Sequence, residues 1–203
     1  SLGSKEDTNA AVKAAKNAFI DWKETSKEER INFLEKLLKV YKKRFKEMSE
    51  SMSMEMGSPI DFATSVHTTS GQSHIEDFIL RLKKFKFDER FDLKSNNYIA
   101  REPIGVCGLI TPWNWPINQI ALKVIPALAT GCTMILKPSE IAPISAMLFA
   151  EMIHEAGFPP GVFNLVNGDG AGVGTYMSSH PDIDMVSFTG STRAGKLITK
   201  NAS

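Results

Sequence analysis

A lysine and a glutamate, Lys137 and Glu140, close an apolar run and are the first residues in this sequence that could do chemistry. At the carboxyl end of a strand, an ammonium and a carboxylate at this spacing can both face a crevice. Together they can bind the vicinal hydroxyls of an adenosine ribose, because a carboxylate accepts hydrogen bonds from a diol. Glu140 would also repel a 2′-phosphate, so it favours NAD over NADP. A local ion pair that contributes little to stability is the alternative interpretation.

A second candidate is Asn114, which lies in a turn bracketed by Pro112 and Pro116. Proline fixes φ and restricts the residue before it, so this Trp-Asn-Trp turn is predicted to be stiff. A stiffly mounted amide donor is what the stabilisation of an oxyanion requires. An asparagine that only braces its own turn is the alternative, and the spacing alone favours it.

Two glycine-rich segments each follow a predicted strand. Residues 168–174 carry alternating glycines, but their spacing does not fit the dinucleotide fingerprint G-x-G-x-x-G. Residues 190–197 reproduce G-x-x-x-x-G-K, yet Leu197 stands where a serine or threonine must bind Mg²⁺, which argues against a P-loop phosphotransferase. The second segment should still offer free N–H groups at a helix N-terminus, which suits a dinucleotide pyrophosphate.

Neither the histidines nor the cysteines form a pattern typical of a metal site. His67 and His74 lie seven residues apart on one predicted helical face. Metal-binding pairs on a helix usually lie about four residues apart and need a third ligand. Cys107 and Cys132 lie in apolar runs and are spaced for neither zinc nor a redox pair. We therefore expect no metal, and two buried thiols with a raised pKa in a reducing cytoplasm.

The candidate residues belong to an alternation of strands and helices that runs from residue 105 onward. Strands are predicted over residues 106–110, 133–136, 162–166 and 185–188, and helices over residues 117–130, 143–156, 172–179 and 192–201. This alternation predicts a parallel, doubly wound sheet, in which ligands bind at the carboxyl ends of the strands. The polar turns 111–116 and 137–140 follow two such ends. A kink is predicted at Pro126, and the sheet is expected to be incomplete.

The first part of the sequence is predicted to be helical. Helices are expected over residues 5–22, 26–48 and 60–85. The second begins with a capping box at Ser26 and Glu29, and the third is loosened at Gly71. Residues 86–104 then read as a β-hairpin with its turn at residues 95–97 and charged residues on its open face. Because its edges are unpaired, this hairpin should find a partner strand.

These motifs resemble those of the NAD(P)-dependent aldehyde dehydrogenases. The resemblance is carried, in the same order, by PWNWP (112–116), LKPSE (136–140), EAGFPPGVFNLV (155–166) and FTGST (188–192). It implies an α/β fold: N-terminal helices over 1–85, an oligomerisation hairpin over 86–104, and a Rossmann-like portion over 105–203. The family's Glu-Leu-Gly-Gly and Gly-Gln-x-x-Cys motifs do not occur here. We therefore expect a fragment that lacks the nucleophilic cysteine and general-base glutamate and is inactive by itself.

The resemblance also assigns roles to single residues. It makes Asn114 the oxyanion-hole amide and places Lys123 near the catalytic centre in a proton path, with a snorkelling helix lysine as the alternative. It makes Gly190 and Ser191 the phosphate contacts. The other residues that it implies for cofactor binding are Ile110, Thr111, Pro112, Trp113, Lys137, Ser139, Glu140, Gly170, Gly174, Phe188, Thr189 and Thr192.

Composition excludes several other classes of protein. Hydrophobic residues make up 42% and charged residues 23%, and the net charge is +1. This balance gives no reason to expect a nucleic acid or an anionic membrane as partner. No apolar run approaches the roughly 20 residues of a membrane helix, and the N-terminus lacks the apolar core of a signal peptide. A cytoplasmic location is therefore expected.

The sequence as a whole predicts NAD-dependent oxidation of an aldehyde to a carboxylic acid by an intact, homo-oligomeric enzyme (a dimer or tetramer). NAD is the expected cofactor, with NADP less favoured. Three alternatives stay open: a catalytically silent nucleotide-binding or oligomerisation module, a P-loop-like nucleotide-binding protein, and an acylating or semialdehyde-specific branch of the same superfamily.

Overall fold

Helices make up the first part of the chain in the computed structural model, which describes residues 2–92 and 96–202. They are α1 (Lys5–Trp22), α2 (Lys27–Lys43) and α3 (Phe45–Met56). The capping box predicted at Ser26 and Glu29 is confirmed, with the Ser26 N–H donating to Glu29 Oε2 at 2.7 Å. Of the helices in these ranges, none is both long enough and apolar enough to cross a bilayer.

The prediction of one continuous helix over residues 26–48 is wrong, because the chain bends at Arg44. Arg44 has φ −100° and ψ 16°, which ends α2 and starts α3. Its guanidinium pairs with Glu47 on α3 and with Glu151 on a later helix, in each case at 2.7 Å. We attribute the bend to this pairing across the fold, since it turns α3 toward that later helix.

The helix predicted over residues 60–85 is confirmed, although its start is irregular. It consists of α4 (Ile60–Phe62), a π-helical segment (Ala63–Thr68) and α5 (Thr69–Lys84). The loosening predicted at Gly71 is wrong, because the irregular segment ends before that residue. A Cβ at Gly71 would lie 2.4 Å from Tyr41 Oη, and this hydroxyl donates to the Thr68 carbonyl at 2.9 Å. Gly71 therefore allows α5 to pack closely on α2.

A short antiparallel hairpin follows the helices. It is formed by β1 (Asp88–Arg90) and β2 (Tyr98–Ala100), which confirms the predicted hairpin. The turn predicted at residues 95–97 lies partly outside the described residues. The aromatic side chains of Phe91 and Tyr98 are each 66% exposed, so the hairpin presents apolar surface to solvent.

Strands and helices alternate through the rest of the chain. The strands are β3 (Val106–Ile110), β4 (Thr133–Lys137), β5 (Phe163–Leu165) and β6 (Met185–Phe188). The helices are α6 (Pro116–Ala129), α7 (Ile144–Glu155), α8 (Thr175–Ser178) and α9 (Thr192–Asn201), with a π-helical segment (Gly170–Gly174) before α8. These four strands are parallel, in the order β5-β4-β3-β6, which confirms the predicted doubly wound sheet. Helix α6 continues through Pro126.

Both faces of the sheet are covered, which is why β3 and β4 are buried along their whole length. Successive side chains of a strand point to opposite faces. Cys107 and Leu109 belong to the larger core, which includes residues of α2, α5, α6 and α7. Val106 and Ile110 belong to the smaller core on the other face, which α1 covers.

Helix α1 is bound to parts of the chain that are distant in sequence. The Thr133 hydroxyl at the start of β4 donates to the Ala15 carbonyl at 2.9 Å. Just before α1, the Gly3 N–H donates to the Asn167 carbonyl at 2.7 Å. The first helix is therefore an integral layer of the sheet domain.

Candidate cofactor site

The chain changes direction at the middle of the sheet. From β3 it moves outward to β4 and β5, and it then crosses back to β6 on the other side of β3. In open parallel sheets, ligands bind at the carboxyl ends of the strands beside such a point. Ile110, the last residue of β3, pairs with Lys137 on β4 and with Phe188 on β6. Three residues that sequence reasoning assigned to the cofactor therefore lie in one row.

A cleft of about 590 Å³ opens beside this row. Its walls are the ends of β3, β4 and β6, the π-helical segment Gly170–Gly174, and residues of α8 and α9. The residues predicted for the cofactor that line the cleft are Ile110, Lys137, Glu140, Gly170, Gly174 and Phe188. A concave site with apolar walls and a few charged groups is typical of cofactor binding.

Lys137 is 3% exposed, and its ammonium joins two loops. Nζ donates to the Pro138 carbonyl at 2.8 Å and to the Gly168 carbonyl at 2.5 Å, and it lies 3.3 Å from Glu140 Oε2. Burial lowers the pKa of Lys137, and the nearby Glu140 carboxylate opposes that effect. The two residues do form an ion pair, but the Glu140 side chain is 44% exposed and so remains accessible to a ligand hydroxyl.

The glycine-rich loop after β5 forms one wall of the cleft. Asp169 caps the π-helical segment, because its Oδ1 accepts a hydrogen bond from the Gly172 N–H at 2.6 Å. A Cβ at Gly170 would meet nothing within 4 Å, and one at Gly174 would lie 3.7 Å from Lys137 Cε. The glycines therefore leave open space beside the lysine.

The N-terminus of α9 forms another side of the site. Ser191 caps this helix by accepting a hydrogen bond from the Ala194 N–H at 3.3 Å. The Thr189 N–H donates to the Ile110 carbonyl at 3.1 Å, which holds the start of the loop against β3. A Cβ at Gly190 would lie 2.4 Å from the Phe188 ring, so this glycine admits the ring. Residues 189–192 thus adjoin the cleft without lining it.

The turn after β3 is held at both ends. Thr111 is buried and its N–H donates to the Lys137 carbonyl at 3.1 Å, while Pro116 begins α6. Between them, Pro112 is half-buried and Trp113 is 49% exposed. Asn114 is exposed, and in the described part of the chain its amide has no hydrogen-bond partner. The amide therefore does not brace its own turn, and it is available to an external acceptor.

The Trp-Asn-Trp turn rests on a histidine of the π-helical segment before α5. The rings of His67 and Trp115 meet edge to face, with their centroids 5.4 Å apart. His67 is 5% exposed, and burial lowers its pKa. His74 instead binds the Asn118 side chain, with Nε2 and Oδ1 2.8 Å apart. The two histidines therefore have separate packing roles, and the described residues hold no cluster of three metal-ligating side chains.

Lys123 turns toward the sheet and lies outside the walls of the cofactor cleft. Its ammonium donates to Ser187 Oγ on β6 at 2.9 Å, and burial lowers its pKa. This contact disfavours the snorkelling alternative, in which the ammonium would reach into solvent. Lys123 and Ser187 line a separate cavity of about 340 Å³ together with both cysteines.

The two thiols line the same cavity, and each affects the ionisation of the other. A hydrogen bond between the thiols, together with burial, raises the pKa of Cys107. The neighbouring Cys107 thiol lowers the pKa of Cys132, and burial opposes that effect. Both cysteines are free and buried, as the sequence predicted.

Sequence reasoning missed several polar residues of the cleft. Asp169 and Arg193 line it, together with Thr175, Ser178 and Asn201. Asp169 and Arg193 lie in the two glycine-rich segments, whose sequences do not fit the dinucleotide or the P-loop motif. The charges of these two residues were the feature of the sequence that could have pointed to them. Ser139, which had been assigned to the cofactor, is 9% exposed and lies outside the walls of the cleft.

Comparison with known proteins supplies independent information. A protein-family model described as "Aldehyde dehydrogenase family" matches residues 1–203. Over 203 residues the chain is 50% identical to a 3-succinoylsemialdehyde-pyridine dehydrogenase from a Pseudomonas species, covering 100% of this chain and 42% of that protein.

Solved structures show the same fold. An aldehyde dehydrogenase from Bartonella henselae has a TM-score of 0.98 and 59% identity, covering 100% of this chain and 43% of its own. A mutant of aldehyde dehydrogenase C from Pseudomonas syringae, crystallised with NAD+ and octanal, has a TM-score of 0.97 and 46% identity, covering 100% of this chain and 41% of its own. The chain thus spans less than half the length of the relatives that it matches.

Proposed function

Because this chain belongs to the aldehyde dehydrogenase family, we propose that the intact protein oxidises an aldehyde to a carboxylic acid with NAD. The observation that carries the proposal is the row formed by Ile110, Lys137 and Phe188 at the switch point of the sheet, with the cleft beside it. Aldehyde, NAD+ and water would give the carboxylate, NADH and two protons, with NAD+ as the acceptor of the hydride.

The residues present fit a dinucleotide. Glu140 keeps an accessible carboxylate beside the buried Lys137 ammonium, which suits a ribose diol. The open space at Gly170 accommodates a flat base against backbone. The capped N-terminus of α9 offers N–H groups to a pyrophosphate, and Arg193 adds a positive charge on the same side. The ribose diol, the base and the pyrophosphate thus each have a matching group on the chain.

Asn114 would act on the aldehyde itself. Its unpartnered amide can donate to the aldehyde oxygen as negative charge develops there, and the stiff turn keeps the amide in place. Lys123 would act near the same centre, as the resemblance implies. Its ammonium is held by Ser187 Oγ, and burial lowers its pKa, which would ease release of a proton. We assign the nucleophile and the general base to no residue of this chain.

The hairpin β1–β2 supports a further part of the proposal, a homo-oligomeric intact protein. Its strands have exposed edges, and Phe91 and Tyr98 present apolar surface there. Such edges favour pairing with another chain. The unpaired thiols Cys107 and Cys132 are in keeping with a cytoplasmic location, where disulfides are rare.

The direct test is NADH formation by the purified intact protein with a panel of aliphatic and aromatic aldehydes. The proposal expects turnover that requires both an aldehyde and NAD+. NAD+ binding without turnover of any aldehyde would indicate the catalytically silent module instead. Mg²⁺-dependent binding of ATP in place of NAD+ would indicate the P-loop alternative.

Cofactor preference gives a prediction of its own. Glu140→Gln in the intact protein is expected to raise kcat/KM with NADP, relative to NAD, by about tenfold, because a carboxylate near a 2′-phosphate costs on the order of 1 kcal/mol or more. Initial rates with both cofactors measure this ratio. Glu151→Gln is the matched control, since Glu151 lies on α7 and pairs with Arg44. A ratio that changes equally in both variants would contradict the assignment.

A further inference from the structure

A half-buried carboxylate on α3 caps the start of α7. Glu55 Oε2 accepts a hydrogen bond from the Ile144 N–H at 2.6 Å, and the same carboxylate accepts from the Ser145 N–H at 3.3 Å and from the Ser145 hydroxyl. These residues are about 90 positions apart in sequence. Pro143, which precedes the helix, makes no capping bond. Helix α7 therefore obtains its N-terminal cap from another helix.

The place of this carboxylate calls for a reason, because partial burial disfavours its charged form. Burial raises the pKa of Glu55, and the hydrogen bonds from Ser145 and Ile144 only partly offset that effect. A buried carboxylate without its donors would be strongly unfavourable. An ordinary local cap from serine, threonine or aspartate would satisfy the helix without drawing a distant carboxylate partly out of solvent. The distant cap differs from a local one in that it fixes where α7 begins relative to α3.

The start of α7 is one end of the short turn that carries Glu140. Lys137, at the end of β4, fixes the other end. Within the turn, the Ala142 N–H donates to the Ser139 carbonyl at 3.2 Å. Only residues 138–143 separate the two anchored ends. Glu140 is four residues from Ile144, so a displacement of the backbone at Ile144 would also displace Glu140.

We propose that Glu55 is a positioning residue for cofactor binding, which holds the start of α7 and thereby places the Glu140 carboxylate against the ribose. Glu55 itself lies outside the walls of the cleft. The inference rests on the proposed use of NAD, and it adds a residue of α3 that neither the motifs nor the cleft reveals.

The test is NAD+ affinity in the intact protein, measured by titration calorimetry and, separately, as KM. Glu55→Gln keeps the size of the side chain but removes its negative charge and one of its two accepting oxygens. We expect the Kd and KM for NAD+ to rise about tenfold, because small misplacements of a positioning group have effects of at least this order. The KM for the aldehyde should stay within about twofold of the wild type.

A control on the same helix separates positioning from general loosening. Arg44→Gln removes the contact of Arg44 with Glu151, which holds α7 near its other end at 2.7 Å. This variant should leave the NAD+ affinity unchanged, even if it lowers the unfolding temperature as much as Glu55→Gln does. Ser145→Ala is a milder change, because it removes only the hydroxyl that binds Glu55, and it should raise the Kd for NAD+ about twofold. This variant replaces Glu55→Gln in the test if Glu55→Gln does not fold.

A double variant tests the route of the effect. If Glu55 acts through Glu140, Glu55→Gln combined with Glu140→Gln should bind NAD+ no more weakly than Glu140→Gln alone. Additive losses, an unchanged Kd in Glu55→Gln, or an equal loss in Arg44→Gln would each overturn the inference. Failure of the wild-type protein to bind NAD+ at all would instead refute the proposed function.

Discussion

Replacing Asn114 by alanine in the intact protein is expected to lower kcat for aldehyde oxidation by about 10²–10³-fold, the usual effect of removing one oxyanion donor. The amide is exposed and unpartnered in the described part of the chain, so it makes no bond that must first be broken. Its turn is fixed by Pro116 at the start of α6 and by the Trp115 ring against His67. Steady-state rates at saturating NAD+ and aldehyde measure the loss.

The control for this variant is Asn118→Ala, which removes the same functional group one helical turn later. The Asn118 amide is already bound, with its Oδ1 2.8 Å from His74 Nε2, so a change of less than about fivefold is expected. NAD+ affinity should be the same in both variants. If Asn114→Ala weakened NAD+ binding and left kcat intact, Asn114 would belong to the cofactor site and the oxyanion role would be wrong.

Gly71→Ala is expected to lower the free energy of unfolding by about 1–3 kcal/mol, although alanine ordinarily favours a helix over glycine by about 1 kcal/mol. The added Cβ would lie 2.4 Å from Tyr41 Oη and 2.8 Å from Ile117 Cγ1. Tyr41 is fully buried and bound to the Thr68 carbonyl, so its ring cannot move aside. Urea and thermal unfolding of the intact protein measure the change.

Gly195→Ala provides the matched comparison, because a Cβ there would lie 3.5 Å from the Phe188 ring in ordinary contact. That variant should be as stable as the wild type or slightly more stable. Tyr41→Phe, combined with Gly71→Ala, removes the nearest clashing atom and should cost less than the sum of the two single changes. Strict additivity would show that the Tyr41 hydroxyl does not cause the instability.

The parts of the fold that could be predicted are those that local sequence decides. The strands β3 and β4 are buried on both faces, so their apolar runs predicted them to within a residue. Lys137 and Glu140 could be predicted for the same reason, since a polar pair after a buried strand marks a carboxyl end. The topology of the parallel sheet was then enough to predict that both residues lie beside the cleft.

The parts that could not be predicted depend on contacts between distant residues. The bend at Arg44 accompanies a pairing with Glu151, and the cap on α7 comes from Glu55. Nothing in the neighbourhood of either residue in the sequence indicates its partner. The carbonyl contacts of the Lys137 ammonium are of the same kind, because Gly168 reaches it only after β5 is in place.

The position of α1 has a consequence for synthesis of the chain. The helix is completed by Trp22, but its partners include Thr133 on β4 and, through Gly3, Asn167 after β5. At a ribosomal rate of about 5–20 residues per second, α1 emerges roughly 7–30 s before the last of these partners. During that interval the apolar side of α1 lacks the complete sheet against which it packs. This first segment is therefore the part of the nascent chain that we expect chaperones to protect longest, and contacts of such long range should make folding of the domain slow.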